Sequence, residues 1–183
     1  MENKKSNPAP LGLLGFGLTT ILLNLHNAGL IPLSIVIVAM GVAMGGVAQI
    51  IGGLISYKNG NTFAGTAFTA YGFFWLSLVM IWILGPKYNM EADLTSMGFY
   101  LLLWGIFTTF MAIGTKTHSL VSKLVFWSLA LLFYLLALGD FTDVVIITRI
   151  AGVLGIFTGL FATYDAVAQI VNEEFEKEVL PLG

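Results

Sequence analysis

The sequence predicts an all-α integral membrane protein in which six helices cross the bilayer as one bundle. Of the 183 residues, 57% are hydrophobic and 10% are charged, and the mean hydropathy is +0.91. A soluble domain carries about 25% charged residues, and a water-soluble fold of this length could not hide so much apolar surface. These observations exclude a soluble enzyme, a disordered chain and a nucleic-acid-binding protein, which needs a basic face.

Six runs of roughly 20 apolar residues are long enough to cross the hydrocarbon core as helices. They are residues 10–28, 31–56, 63–85, 95–114, 120–139 and 145–171. The separators are short and rich in Gly, Pro, Asn and Lys, so each helix is expected to lie antiparallel beside its predecessor. We therefore expect one transmembrane domain, 10–171, between an N-terminal segment, 1–9, and a C-terminal tail, 172–183.

The first run carries polar side chains at helical spacing. Thr19, Thr20 and Asn24 fall on neighbouring positions of a helix, and His26 follows within one turn. Polar groups are costly in hydrocarbon and usually face the bundle interior or a wet cavity, which favours a conduit along this helix. The alternative is that the threonine hydroxyls bond preceding carbonyls while Asn24 and His26 sit at the outer interface.

The second and sixth runs are rich in glycine. Gly41 and Gly45 in the second run, and Gly155 and Gly159 in the sixth, stand four residues apart. Small residues at this spacing let helix backbones approach closely in lipid, which explains the glycines as helix packing. Alternatively, the glycines make room for a narrow conduit, or they let neighbouring protomers pack tightly against each other.

The third to sixth runs contain isolated polar side chains, among them Tyr71, Thr108 and Ser128. The sixth run also holds Asp165, a carboxylate well inside a predicted span. It either relays protons or lies at headgroup level beside a lysine whose long stem reaches it. The second interpretation is favoured.

The distribution of Lys and Arg predicts the orientation. With the N-terminus inside, the outer side carries only Lys87 and Arg149. The inner side then carries Lys4, Lys5, Lys58, Lys116, Lys123 and Lys177. The positive-inside rule favours this choice, and an even number of spans returns the C-terminus to the same side. We expect a multi-pass plasma-membrane protein with both termini cytoplasmic.

The chemistry of the spans favours passage of a small solute. There is no cysteine, no G-x-S-x-G, no H-E-x-x-H and no Walker loop, and the two histidines, His26 and His118, fall on opposite sides of the membrane. We therefore expect no catalytic residues, metal or cofactor. A packing subunit of a membrane complex and an intramembrane enzyme are the alternatives from other classes.

Several motifs resemble the acetate uptake transporter family, which includes bacterial succinate–acetate permeases and fungal acetate transporters. They are Asn7-Pro8-Ala9-Pro10-Leu11-Gly12-Leu13, Leu23-Asn24-Leu25-His26-Asn27, Thr69-Ala70-Tyr71-Gly72 and the tail Asn172-Glu173-x-Phe175. The resemblance implies six-helix protomers in a ring-shaped homohexamer, each with its own pore and a fold related to bacterial urea channels. It also implies passage of acetate, and of succinate or lactate in some members, as a proton symporter or an anion channel.

The resemblance further implies an apolar constriction of a Phe, a Tyr and a Leu, which match Phe16, Tyr71 and Leu129. A small residue that influences substrate size matches Ala162. Asp165 departs from the apolar residue expected there, so no family role is carried onto it. Within this constriction the Tyr71 hydroxyl is the polar group expected to hydrogen-bond a passing carboxylate.

Asn7 precedes two prolines at the predicted start of the first helix. Pro fixes φ and lacks a donor, as suits a first turn, and Asn is a good N-cap. Asn7 is therefore either a structural cap or, with the free amides of the helix start, part of a pore mouth that attracts carboxylates.

Overall fold

The structure is a computed structural model that describes residues 6–183, so the predicted inner lysines Lys4 and Lys5 lie outside the described residues. Six membrane-length helices are present in this range. They are α1 Ala9–Asn27, α2 Ile35–Lys58, α3 Thr62–Tyr88, α4 Leu94–Gly114, α5 Leu120–Thr142 and α6 Val145–Glu174. Because each is long and apolar enough to cross a bilayer, the predicted six-helix membrane fold is confirmed.

Side chains in the loops set where three of the helices begin. The side-chain oxygens of Asn61, Asp93 and Ser119 each accept a hydrogen bond from the backbone amide three residues further on, at 2.9–3.1 Å. These bonds satisfy amides that a helix start otherwise leaves unpaired. The caps therefore fix the first residues of α3, α4 and α5.

The second helix is not a regular α-helix throughout. An α-helical stretch, Ile35–Met40, leads into a π-helical stretch, Gly41–Ala48, and α-helix resumes over Gln49–Lys58. A Cβ on Gly45 would lie 2.6 Å from Cγ of Trp75 on α3, so glycine is needed for the indole to pack against the backbone. The hydropathy pattern does not report this change of helix type.

Glycines on α6 face α1 of the same chain. A Cβ on Gly159 would lie 2.6 Å from Cγ1 of Ile21, and one on Gly155 would collide with the Asn24 side chain. The helix-packing interpretation therefore holds for these glycines, which lie inside the protomer. The outer faces of the bundle instead carry large apolar side chains such as Leu103 and Phe110.

Asn7 and the C-terminal tail lie at the same end of the bundle, which we call the cavity end. Asn7 Nδ2 donates to Gln169 Oε1 at 2.8 Å, which ties the start of α1 to the last turns of α6. The tail folds back, and the amide of Leu120 at the start of α5 donates to the carbonyl of Gly183 at 3.0 Å. The lysines at positions 58 and 116 lie near this same end, at the ends of α2 and α4.

Candidate solute pathway

A cavity of about 160 Å³ lies at the cavity end of the bundle, among α1, α2, α3, α5 and α6. Its wall on α1 runs from Ala9 to Phe16, which is a depth of about 10 Å at 1.5 Å per residue. Most of the lining is apolar, with a few polar side chains from different helices. This composition is typical of a site for a small organic solute.

The three residues matched to a constriction lie together at the deep end of the cavity. Phe16, Tyr71 and Leu129 are buried and line its wall from α1, α3 and α5. The rings of Phe16 and Tyr71 are 6.1 Å apart between centroids, inclined at 44°. Residues far apart in sequence thus line the same cavity.

The hydroxyl of Tyr71 has a partner within the protein. It donates to Thr108 Oγ1 on α4 at 3.0 Å, and Thr108 in turn donates to the carbonyl of Trp104 at 2.7 Å. The ring of Tyr71 also contacts Trp104 and Phe107, with centroids 6.1 and 5.6 Å away. The hydroxyl proton of Tyr71 is therefore directed to Thr108 on α4. From the sequence, we instead expect this hydroxyl to bond a passing carboxylate.

The polar stripe on α1 divides between two faces. Thr20 and Asn24 continue the face of Phe16, four and eight residues on, whereas Thr19 points toward α2. Thr19 Oγ1 donates to the carbonyl of Gly15 at 2.8 Å, as in the alternative reading of the threonines. None of these three lines the cavity described above.

The C-terminal part of α1, away from the cavity end, forms local hydrogen bonds. Asn24 Nδ2 donates to the carbonyl of Thr20 at 2.9 Å, and Asn24 Oδ1 accepts from Asn27 Nδ2 at 3.1 Å. His26 Nδ1 lies 3.1 Å from the carbonyl of Ile31. In contrast, Thr20 Oγ1 is buried without a hydrogen-bond partner, one turn beyond Phe16.

Two further predicted residues lie near the cavity but not on its wall. Ala162 is completely buried on α6, one turn from Asp165. Asn7 precedes the cap of α1, which is Pro8, and its Oδ1 accepts from the amide of Ala9 at 3.0 Å. Its side chain therefore serves the first amide of the helix and, through Nδ2, also contacts Gln169.

Gln49 is a wall residue that sequence reasoning did not select. Its side chain is 0% exposed, yet neither Nε2 nor Oε1 has a hydrogen-bond partner. The absence of a side chain at Gly15 makes room for it, because a Cβ there would lie 3.1 Å from Gln49 Cγ. Burying an unpaired amide costs roughly 1–3 kcal/mol, which makes this group a candidate hydrogen-bond partner for a solute in the cavity.

Asp165 also lines the cavity, and its surroundings differ from the favoured prediction. Its Oδ2 accepts from Ser122 Oγ and its Oδ1 from Gln169 Nε2, both at 2.8 Å. Over residues 6–183 no lysine or arginine forms an ion pair with it. The carboxylate is 1% exposed, so it lies in the protein interior.

The sequence of this chain is similar to those of known membrane proteins. Residues 1–181 match the GPR1/FUN34/yaaH family. The chain is 50% identical over 184 residues to the succinate-acetate/proton symporter SatP of Escherichia coli (strain K12), covering 100% of this chain and 97% of that one. It is 30% identical over 199 residues to acetate permease A of Emericella nidulans, covering 98% of this chain and 66% of that one.

A solved structure of the bacterial acetate channel SatP superposes on the fold with a TM-score of 0.96. The two sequences are 50% identical, and the match covers 98% of this chain and 100% of that one. Sequence and fold thus agree along the whole length of the chain. This chain belongs to the GPR1/FUN34/yaaH family.

Proposed function

We propose that this protein passes acetate and related small carboxylates across the plasma membrane, through the cavity and the ring of Phe16, Tyr71 and Leu129. The observation that carries the proposal is the buried, unpartnered amide of Gln49 on the cavity wall. The relatives named as a succinate-acetate/proton symporter and an acetate permease support the choice of solute. Succinate and lactate are the larger candidates.

The solute binds first in the cavity, where its two chemical halves find different partners. The Gln49 amide donates a hydrogen bond to a carboxylate oxygen, and a bond to a charged group contributes about 1.5–3 kcal/mol. The methyl group of acetate packs against apolar wall residues such as Leu13 and Phe68. A solute with one small apolar end and one carboxylate fits this arrangement.

The solute then crosses the apolar ring, which selects by size and by hydration. An unpaired anion loses most of its hydrating water in the ring, and this desolvation costs free energy. A solute therefore crosses only if polar groups replace that water soon after the ring. Thr20 stands one turn beyond Phe16 with a free hydroxyl, so a polar partner waits on the far side. Polar groups therefore flank the ring along the direction of travel.

Neither binding in the cavity nor passage through the ring requires a covalent change in the solute. The described residues contain no group of three or more His, Asp or Glu side chains placed to hold a metal ion. The relatives are a symporter and a permease. We assign the protein a transport role with no catalytic residue and no cofactor, in preference to an intramembrane enzyme or a packing subunit.

We place the cavity end in the cytoplasm and the protein in a ring-shaped homohexamer with one pore per protomer. Lys58 and Lys116 at the cavity end support the orientation by the positive-inside rule. Exposed apolar side chains on α4, such as Phe110, offer surface for lipid or for a second protomer. Cross-linking in native membranes would show six bands for this hexamer, and a ladder that ends at two would exclude it.

Uptake of labelled acetate into liposomes that contain only the purified protein tests the function. At each pH the uptake is compared with that of protein-free liposomes, because the neutral acid also leaks through lipid and its share rises as the pH falls. Protein-dependent uptake above protein-free liposomes, inhibited by unlabelled acetate, is expected. Uptake equal to that of protein-free liposomes at acid and alkaline pH would exclude the proposal and favour the packing subunit.

A further inference from the structure

Asp165 is a buried carboxylate whose hydrogen-bond partners are all neutral. Ser122 and Gln169 donate to its two oxygens, and it is 1% exposed on the wall of the cavity. In the part of the chain from residue 6 onward, no basic side chain forms an ion pair with it. A negative charge in such surroundings is costly unless a proton or a cation neutralises it.

The hydrogen bonds around Asp165 all run toward the carboxylate. Ser119 Oγ donates to Ser122 Oγ at 3.0 Å, and Ser122 donates to Asp165. Asn7 Nδ2 donates to Gln169 Oε1 at 2.8 Å, and Gln169 donates to Asp165 from the other side. This network holds the carboxylate in one orientation but does not compensate its charge.

Among the described residues, few other titratable groups face this carboxylate. His118, on the segment before α5, and Tyr71, on α3, line the same cavity. Lys123 on α5 lies in a separate depression beside Lys116. The parts of α1 and α2 that form the wall carry no titratable side chain, and α6 contributes Asp165 alone.

We propose that Asp165 is the proton-binding site that couples proton and solute in this pore, an inference that rests on the proposed function. Ser122 stands seven residues before Leu129 on α5, so Asp165 lies about 10 Å from the constriction along the helix axis. A carboxylate solute that moves along the cavity toward the ring passes beside it. Two carboxylates that close do not both stay ionised, and they share one proton.

The sharing of a proton fixes the charge that crosses the membrane. One proton from the entry side binds between Asp165 and the solute, and the proton leaves with the solute on the other side. One anion and one proton move together, so the net charge transferred is zero.

The test uses the full-length protein in liposomes and compares acetate uptake at about pH 5 and about pH 8, with and without an inside-positive potassium diffusion potential. Wild-type uptake should fall steeply toward pH 8 and should not respond to the potential. For Asp165→Asn we expect the ratio of uptake at the two pH values to shrink at least tenfold, because the anion then enters without a proton. The same variant should take up more acetate when the interior is positive.

The matched control is Asp143→Asn, which makes the same chemical change at an exposed carboxylate at the far end of α5. Asp143 has a φ of 53°, a conformation that Asn also tolerates, so this variant should behave as wild type. If wild-type protein carries no acetate, the proposed function fails. If wild type carries acetate but Asp165→Asn keeps the wild-type pH ratio and ignores the potential, coupling through Asp165 is overturned while passage stands.

A second variant keeps the proposal testable if Asp165→Asn does not fold. Asp165→Ser also removes the carboxylate and puts a hydroxyl beside Ser122 and Gln169 in its place. Its uptake should show the same smaller pH ratio and the same rise when the interior is positive. An Asp165→Ser protein that keeps the wild-type pH ratio and does not respond to the potential overturns the proposal.

Discussion

Gln49 and Ser77 are polar side chains inside the bundle with opposite surroundings. Gln49 has no partner for either polar atom, whereas Ser77 Oγ donates to the carbonyl of Phe74 at 2.8 Å and lies 2.7 Å from the Tyr100 hydroxyl. A paired buried group stabilises the fold, and an unpaired one destabilises it. The two residues therefore separate function from stability.

Gln49→Leu should lower acetate uptake about tenfold or more and leave the melting temperature equal or higher. The lost hydrogen bond to the carboxylate accounts for the fall in uptake, and removal of an unpaired buried amide accounts for the stability. Ser77→Ala is the control and should show the reverse, with a lower melting temperature and normal uptake. Normal uptake by the Gln49→Leu protein would show that the Gln49 amide does not bind the solute.

Leu129→Ala should admit lactate and succinate, because a smaller side chain widens the apolar ring. The matched control is Leu132→Ala, which lies on the same helix and is equally buried but does not line the cavity. Truncation of a buried Leu costs about 2–5 kcal/mol, so both variants should lose stability. Competition of unlabelled acids against labelled acetate measures the size limit. An unchanged limit in Leu129→Ala would show that Leu129 does not form the constriction.

Tyr71→Phe should change acetate uptake by less than about twofold, because the aromatic ring remains and its hydroxyl bonds Thr108. Loss of that bond should lower the free energy of unfolding by about 1 kcal/mol. Thermal melting and uptake, measured on one preparation, check both parts. A tenfold loss of uptake at neutral pH without any loss of stability would mean that the hydroxyl bonds the solute after all.

Among the helices, α4 depends on an acidic cap outside the membrane-spanning part of the chain. The Ser96 hydroxyl donates to Asp93 Oδ2 at 2.6 Å and its amide donates to Oδ1 at 2.9 Å, and these bonds hold the pKa of Asp93 below its ordinary value. A lowered pKa means that the folded protein favours the ionised form. The stabilisation is thus present above the ordinary pKa and is lost as pH falls through the lowered one.

Asp93→Ala should therefore lower the melting temperature at neutral pH, and the difference from wild type should shrink as the pH falls through the lowered pKa of Asp93. Ser119→Ala, which removes an uncharged cap at the start of α5, is the control, and its effect should not depend on this titration. Melting curves at several pH values give both comparisons. A constant deficit for Asp93→Ala across the range would show that the cap acts without its charge.

The helix α2 shows where a pattern of apolar residues stops being informative. Its length follows from hydropathy, but its π-helical stretch, Gly41–Ala48, depends on how Trp75 of α3 packs against Gly45. That contact joins two helices, so no local propensity reports it. The stretch ends at Ala48, immediately before Gln49, and the change of helix type thereby sets the direction in which the Gln49 side chain points.

For the molecule as a whole, the six spans could be predicted because the cost of exposing polar backbone to lipid leaves few solutions. The meeting of Phe16, Tyr71 and Leu129 was expected only through the family resemblance. The pairing of Tyr71 with Thr108 and the absence of a basic partner for Asp165 in the described chain depend on contacts between distant helices. Single-sequence patterns carry no record of such contacts.

The glycine contacts between α1 and α6 have a mechanical consequence. A Cβ on Gly152 would overlap the backbone at Ala28, and one on Gly159 would crowd Ile21, so the two backbones lie against each other along much of their length. Pulling them apart would open voids that no side chain can fill. We therefore expect these two helices to move as one rigid unit, so that a wider passage requires rotation of Phe16 or displacement of α3 and α5 relative to that unit.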